Sequence, residues 1–250
     1  MNEKKVYQKT TTRDLMITAT YPHIELYEKV RQLPSATIYY YHKLLPFLHE
    51  AFEYIKNRIK DSGDIQNQNI QFKRLKFKKK KIASNSRFFM IPPNIEILKK
   101  LLNLIDSSNA TNKIIFIPRI SDECNDLLNT VNSSSNNSQI LVESYNFDFI
   151  PLSEKIMIIP LVDFFYETFS RQKLSLLQIC SQVLLTLQLF YGKIPNVRIH
   201  GSKSKKFYDM FSEMKSKIPE NNFPSSQMFS NLIIIDRMVD PLTPLLLQNS

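Results

Sequence analysis

The sequence predicts an α/β fold built on parallel sheets, and three observations carry that reading. Runs of four to six β-prone residues recur between longer segments of helical period, the alternation expected of strand–helix–strand units. The 250 residues suffice for one large α/β domain or two small ones, each able to bury its own core. A hydrophobic fraction of 43% beside 22% charged residues is the balance of a globular chain and not of a disordered one.

The first strand is expected at Ala36–Tyr41, entered from Pro34 and Ser35. In the helix that follows, Leu45, Leu48, Phe52, Ile55 and Ile59 are spaced by three and four, so they share one stripe that can lie on a sheet. Pro46 near its start and Gly63 just beyond its end suit a first turn and a C-cap. A second strand, Arg87–Ile91, breaks at Pro92 and Pro93 and leads to a helix carrying Ile95, Leu98, Leu102 and Ile105. A third, Lys113–Ile117, ends at Pro118 and Arg119. Ser121 is then placed as an N-cap, with Asp122 and Glu123 at the positive end of a helix that should stop near Thr130.

Residues 132–138 are entirely Asn and Ser, whose side chains compete with regular backbone bonding. They read as a linker, with a domain boundary between Asn137 and Ser138. Beyond it come a short strand at Ile140–Val142 and an apolar stretch from Phe147 to Phe165, interrupted by Pro151 and Pro160 and expected to cross between layers. The longest helix spans about Leu174 to Tyr191, with Leu177, Cys180, Leu184, Leu187 and Tyr191 on one face and Gly192 as its cap. A shorter helix carries Phe207, Met210, Phe211 and Met214. The last strand, Leu232–Ile235, is continuously aliphatic, as burial on both faces requires.

Much chemistry is excluded by glycine alone. Gly63, Gly192 and Gly201 stand isolated, so neither a dinucleotide-binding loop, nor a P-loop, nor a nucleophile elbow can be drawn anywhere in the chain. His42 and His49 lie seven apart with Glu53 a turn further on, a poor spacing for a metal site, and His200 has no partner pattern. Cys124 and Cys180 read as buried thiols of a reducing compartment, not a disulfide or metal pair. The most apolar run, Ile156–Phe165, is far short of a membrane span, and the first twenty residues lack the apolar core of a secretory signal. No catalytic residue, cofactor-binding residue or metal ligand is assigned, no cofactor is expected, and the chain is read as a non-enzyme.

Two segments stand out. The formal charge of +10 is concentrated in one place: seven of the nine residues from Lys73 to Lys81 are basic, namely Lys73, Arg74, Lys76, Lys78, Lys79, Lys80 and Lys81. They could contact an anionic surface, with Phe72 and Phe77 interleaved as stacking platforms sometimes are, or form a solvated insertion between sheet units at about 64–86. The other is Asp236-Arg237-Met238-Val239-Asp240, directly after the last strand. Two carboxylates flanking a guanidinium suggest a hydrolytic pair. A structural reading is simpler: the Arg fork satisfies one carboxylate, the second Asp caps a turn, and Thr243-Pro244 opens a helix.

The run from Leu232 to Gln248, Leu-Ile-Ile-Ile-Asp-Arg-Met-Val-Asp-Pro-Leu-Thr-Pro-Leu-Leu-Leu-Gln, resembles the signature of the SM (Sec/Munc) family of vesicle-fusion regulators, with Asp236, Arg237, Asp240, Thr243, Pro244 and Gln248 falling on its motif. Leu185–Pro195, Phe116-Ile-Pro-Arg119 and Phe149-Ile-Pro-Leu152 resemble landmarks of its vacuolar-sorting branch. The resemblance implies a Rossmann-like parallel-sheet domain at 1–137, followed by the first half of a second parallel-sheet α/β domain at 138–250. It also implies that the chain is truncated at the start of the domain 3a insertion and is partly active at most.

By the same resemblance the partners are SNARE proteins and a helical-solenoid tether subunit of the vacuolar protein sorting-associated protein 16 type, in a HOPS- or CORVET-like tethering complex. The setting is the cytoplasm, peripheral on endosomal and vacuolar (lysosomal) membranes. A reading of another class is a basic α/β module that binds nucleic acid or anionic lipid through Lys73–Lys81. The absence of any nucleic-acid-binding motif weighs against the first of these.

Overall fold

The computed structural model describes residues 26–28, 37–61, 70–77, 86–105, 111–134, 140–144, 147–153 and 156–240. The chain forms two compact units, Met1–Phe164 and Phe165–Ser250. In the first, strands β1 (Thr37–Tyr40), β2 (Gln71–Arg74), β3 (Ser86–Ile91), β4 (Thr111–Phe116) and β5 (Leu141–Ser144) make one parallel sheet in the order β2-β1-β3-β4-β5. Helices α1 (Leu45–Asp61), α2 (Ile95–Leu102) and α3 (Asp122–Ser134) connect them.

That order reverses direction once, since the chain moves outward from β1 to β2 and then returns to the other side of β1. Right-handed crossovers therefore put α1 on one face and α2 and α3 on the other. The side chains of β3 show the consequence of a two-residue period. Phe88 and Met90 enter a core with Leu44, Leu48, Phe52 and Ile55 beneath α1. Phe89 and Ile91 enter a second core with Ile97, Leu98, Leu101, Cys124 and Leu128. Ile115 and Ile114 divide in the same way on β4. Central strands buried on both faces must be apolar at every position, as Phe88 to Ile91 are. Each such side chain contributes about 1.5–3 kcal/mol of burial.

Three expectations about this unit are corrected. The basic segment is not wholly an insertion, because Gln71–Arg74 forms the edge strand β2, in register with Thr37–Tyr40. An edge strand tolerates cations because one of its sides faces water. Helix α3 runs past Thr130 to Ser134: Thr130 Oγ1 and Ser133 Oγ donate back to the carbonyls of Asp126 and Asn129 at 2.9 and 2.7 Å, so these polar residues find partners within the helix. The compact unit also does not end at Asn137. Asn132 bridges Ile140 with its side-chain amide, Leu141–Ser144 pairs with Lys113–Phe116, and the division falls at Phe164.

The stretch after β5, expected to cross between layers, instead forms an antiparallel pair, β6 (Ile150–Ser153) with β7 (Ile156–Ile158). The second unit opens on a single π-helical turn, Tyr166–Ser170, whose buried Glu167 is paired with Arg171 and Lys173, each at 3.3 Å. Helix α4 (Ser175–Tyr191) follows and ends on Gly192, where φ is +88° and a side chain would overlap the Ser226 carbonyl. The buried residues of α4 include Leu176, Leu177, Ile179 and Val183, while Leu184 and Leu187 of the expected stripe are half-buried. So apolar a helix offers no single stripe to the eye.

Strand β8 (Asn196–His200), helix α5 (Ser202–Ser216) and strand β9 (Asn231–Ile235) complete the unit, with β8 and β9 parallel and Val197 and Ile199 opposite Leu232 and Ile234. Phe211 is the buried anchor of α5. The last strand is not buried on both faces: Ile233 is 57% and Ile235 66% exposed, because β9 pairs with β8 on one side and the described residues cover one face.

Candidate functional site

Asp236 lies directly after β9 and is buried. Its backbone N–H continues the sheet by donating to the His200 carbonyl at 2.8 Å. Gly201 is the N-cap of α5 at φ +101° and has no side chain with which to cap the helix. Asp236 does so from the neighbouring strand: Oδ2 accepts the Lys203 N–H at 2.9 Å, while Oδ1 accepts the Met238 N–H at 2.9 Å and caps the 3-10 turn Arg237–Val239. One carboxylate thus ties a strand end, a helix start and a turn, at the positive end of the α5 dipole. A methyl group on Gly201 would overlap the Asp236 side chain, so the close approach requires glycine there.

The expected Arg237 fork is not what satisfies this carboxylate; two backbone N–H groups fill both oxygens first. Arg237 and Asp240 are exposed on the turn. Thr243, Pro244 and Gln248 lie outside the described residues.

A second junction joins two of the short sequence landmarks. Arg119 follows β4 and Asp148 precedes Phe149; Nε meets Oδ1 at 2.7 Å and Nη2 meets Oδ2 at 2.5 Å, a bidentate pair with the carboxylate buried. It fastens the Phe116–Arg119 corner to the segment leading into β6.

In the basic segment, Lys73, Arg74 and Lys76 are exposed, while Lys78, Lys79, Lys80 and Lys81 lie outside the described residues. Phe72 is not a free platform, for its ring packs at 4.3 Å from that of Phe52 beneath α1. Phe77 leans on Tyr41 at 6.4 Å. His42, His49 and His200 are exposed, and among the described residues no group of His, Cys, Asp and Glu is arranged to hold a metal ion. Neither cysteine forms a disulfide. Cys124 is buried, and Cys180 is half-buried with its thiol pushed up to about 12 by burial. No helix among the described residues is long and apolar enough to cross a membrane.

The profile of the Sec1 family matches residues 55–249, well over half of the chain. The chain belongs to the Sec1 family. Among curated relatives of this Sec1 family chain, vacuolar protein sorting-associated protein 33A of Rattus norvegicus is 27% identical over 162 residues, covering 63% of this chain and 27% of the relative. Vacuolar protein sorting-associated protein 33B of Danio rerio is 27% identical over 168 residues, covering 65% and 26%. The chain thus spans about a quarter of the length of the curated relatives it matches. Among solved structures, the SM protein Vps45 in complex with the Qa SNARE Tlg2 superposes with a TM-score of 0.60 at 14% identity, over 93% of this chain and 41% of that one. Sly1p in complex with an N-terminal peptide of Sed5p gives 0.50 at 13% identity, over 92% and 42%. These likenesses establish the α/β fold.

Two contributors to these sites escaped the sequence reading. Strand β8 was legible in the alternation Asn-Val-Arg-Ile-His, and the capping role of Asp236 depends on its neighbour His200. Asp148 carried no local signal, since its partner lies 29 residues away.

Proposed function

We propose that the chain acts without catalysis in docking and SNARE-mediated fusion of vesicles on the route from endosome to vacuole or lysosome. The observation that carries this reading is the Sec1 family match over residues 55–249, joined to similarity with the vacuolar sorting proteins 33A and 33B. SNARE proteins are its partners in this reading; the two solved relatives are described as bound to a Qa SNARE and to a peptide of Sed5p. A helical-solenoid tether subunit of the vacuolar protein sorting-associated protein 16 type holds it in a HOPS- or CORVET-like assembly, on the cytoplasmic side of endosomal and vacuolar membranes. The Asp236 cap and the Arg119–Asp148 clamp support this as rigid joints of a docking scaffold, with Asp236, Arg237, Asp240, Thr243, Pro244 and Gln248 in a structural part.

Affinity purification of the chain from its own cells tests the proposal. Recovery of a solenoid tether subunit together with endosomal or vacuolar SNAREs is expected. Recovery of neither, from a chain that is folded and abundant, contradicts it.

A further inference from the structure

We infer that the basic edge of the first unit's sheet contacts an anionic bilayer directly, with Lys73, Arg74 and Lys76 meeting the phosphate and carboxylate groups of lipid heads. This goes beyond the proposed function, in which partners bring the chain to the membrane, and it stands on charge and geometry alone. Strand β2 is the outermost strand of its sheet, so the side away from β1 has no strand beside it among the described residues. The two-residue period sends Phe72 into the core beneath α1 and Leu75 into the opposite core. Lys73 and Arg74 therefore stand on either face of the same rim, and all three cations are exposed.

The charge there is uncompensated. Several cations elsewhere on the surface carry counter-ions: Lys43 with Asp163 at 2.7 Å, Lys56 with Glu53 at 2.7 Å, Lys217 with Glu213 at 2.7 Å. Lys73, Arg74 and Lys76 have no such pairing among the described residues, and the sequence contains no Asp or Glu between Asp64 and Glu96 while it continues through Lys78 to Lys81. A few lysines suffice to keep an edge strand from pairing with another chain. Seven cations in nine residues with every acid removed are more than that task needs.

Between the two anionic partners of this size, the bilayer fits. A single-stranded nucleic acid gains its hold by stacking successive bases on several free rings, and with Phe72 already packed on Phe52 the described residues of this segment leave only Phe77 for that task. A lipid surface asks only for closely spaced cations, each strengthening attachment about fivefold. The partly exposed Phe77 at the end of the row adds an apolar ring at headgroup depth.

Flotation of the full chain with vesicles of phosphatidylcholine, with and without phosphatidylserine, tests the inference. Binding is expected only to the vesicles containing phosphatidylserine and should fall as salt is raised. The triple variant Lys73→Gln/Arg74→Gln/Lys76→Gln should bind about a hundredfold more weakly, at fivefold per cation, with an unchanged melting temperature. Equal binding to neutral vesicles, undiminished binding by the variant, or preference for a single-stranded oligonucleotide over the anionic vesicles would overturn it. SNARE capture measured on the same triple variant keeps the two proposals apart. Capture by the variant that survives while its flotation is lost supports both, and a wild-type chain that floats with anionic vesicles but captures no SNARE sinks only the proposed function.

Discussion

Asp236 accepts backbone N–H groups from two segments at once, and an acceptor placed this way is costly to remove. Replacement by Ala orphans the Lys203 and Met238 donors in a buried setting and should cost about 2–3 kcal/mol of stability. Asp236→Asn retains one acceptor oxygen and should lose about half of that. Chemical denaturation of the three proteins checks the order wild type, Asn, Ala. Gly201→Ala, which sets a methyl group against Asp236 at positive φ, should rank with Asp236→Ala. The thiols give a further test at this scale. Since the thiolate is the reactive form and Cys180 is held at about 12, neither cysteine should react with an aromatic disulfide reagent at neutral pH until denaturant is added. Rapid labelling of the native chain would contradict the burial described.

Among elements, the joints matter as much as the strands. Arg119→Met leaves the buried Asp148 carboxylate without its fork, and breaking such a pair should cost about 2–4 kcal/mol, discounted for the partial exposure of Arg119. Arg119→Lys should recover only part of this, because an ammonium group cannot engage both oxygens in one plane. Thermal melts of both variants decide it. What was readable at this scale followed burial. Strand β3 and helices α1 and α2 are apolar in the rhythm their elements demand, so Phe88–Ile91 and the stripe Leu48, Phe52 and Ile55 announced themselves, while Leu45, expected on that stripe, is exposed because it stands at the helix start. Strand β2 was hidden because its Lys73 and Arg74 face water, and helix α3 was cut short because Asn and Ser predict a linker until their bonds to preceding carbonyls are seen.

For the whole molecule, fold class and family were legible for different reasons. Alternating strands and helices predicted the parallel sheet, and the Leu232–Gln248 run carried the family resemblance that the Sec1 profile bears out. The limits of the first unit were not legible: Leu141–Ser144 joins the first sheet through a pairing that composition at residues 132–138 concealed. The second unit leaves Ile233 and Ile235 exposed, which the continuous aliphatic run did not reveal. In the proposed function this scaffold binds SNARE proteins and turns nothing over. Titration calorimetry of the purified 250-residue chain against cytosolic domains of endosomal and vacuolar Qa SNAREs tests it most directly. Saturable binding to at least one of them is the predicted result, and a flat titration against every one, with the chain folded, is the result that would contradict it.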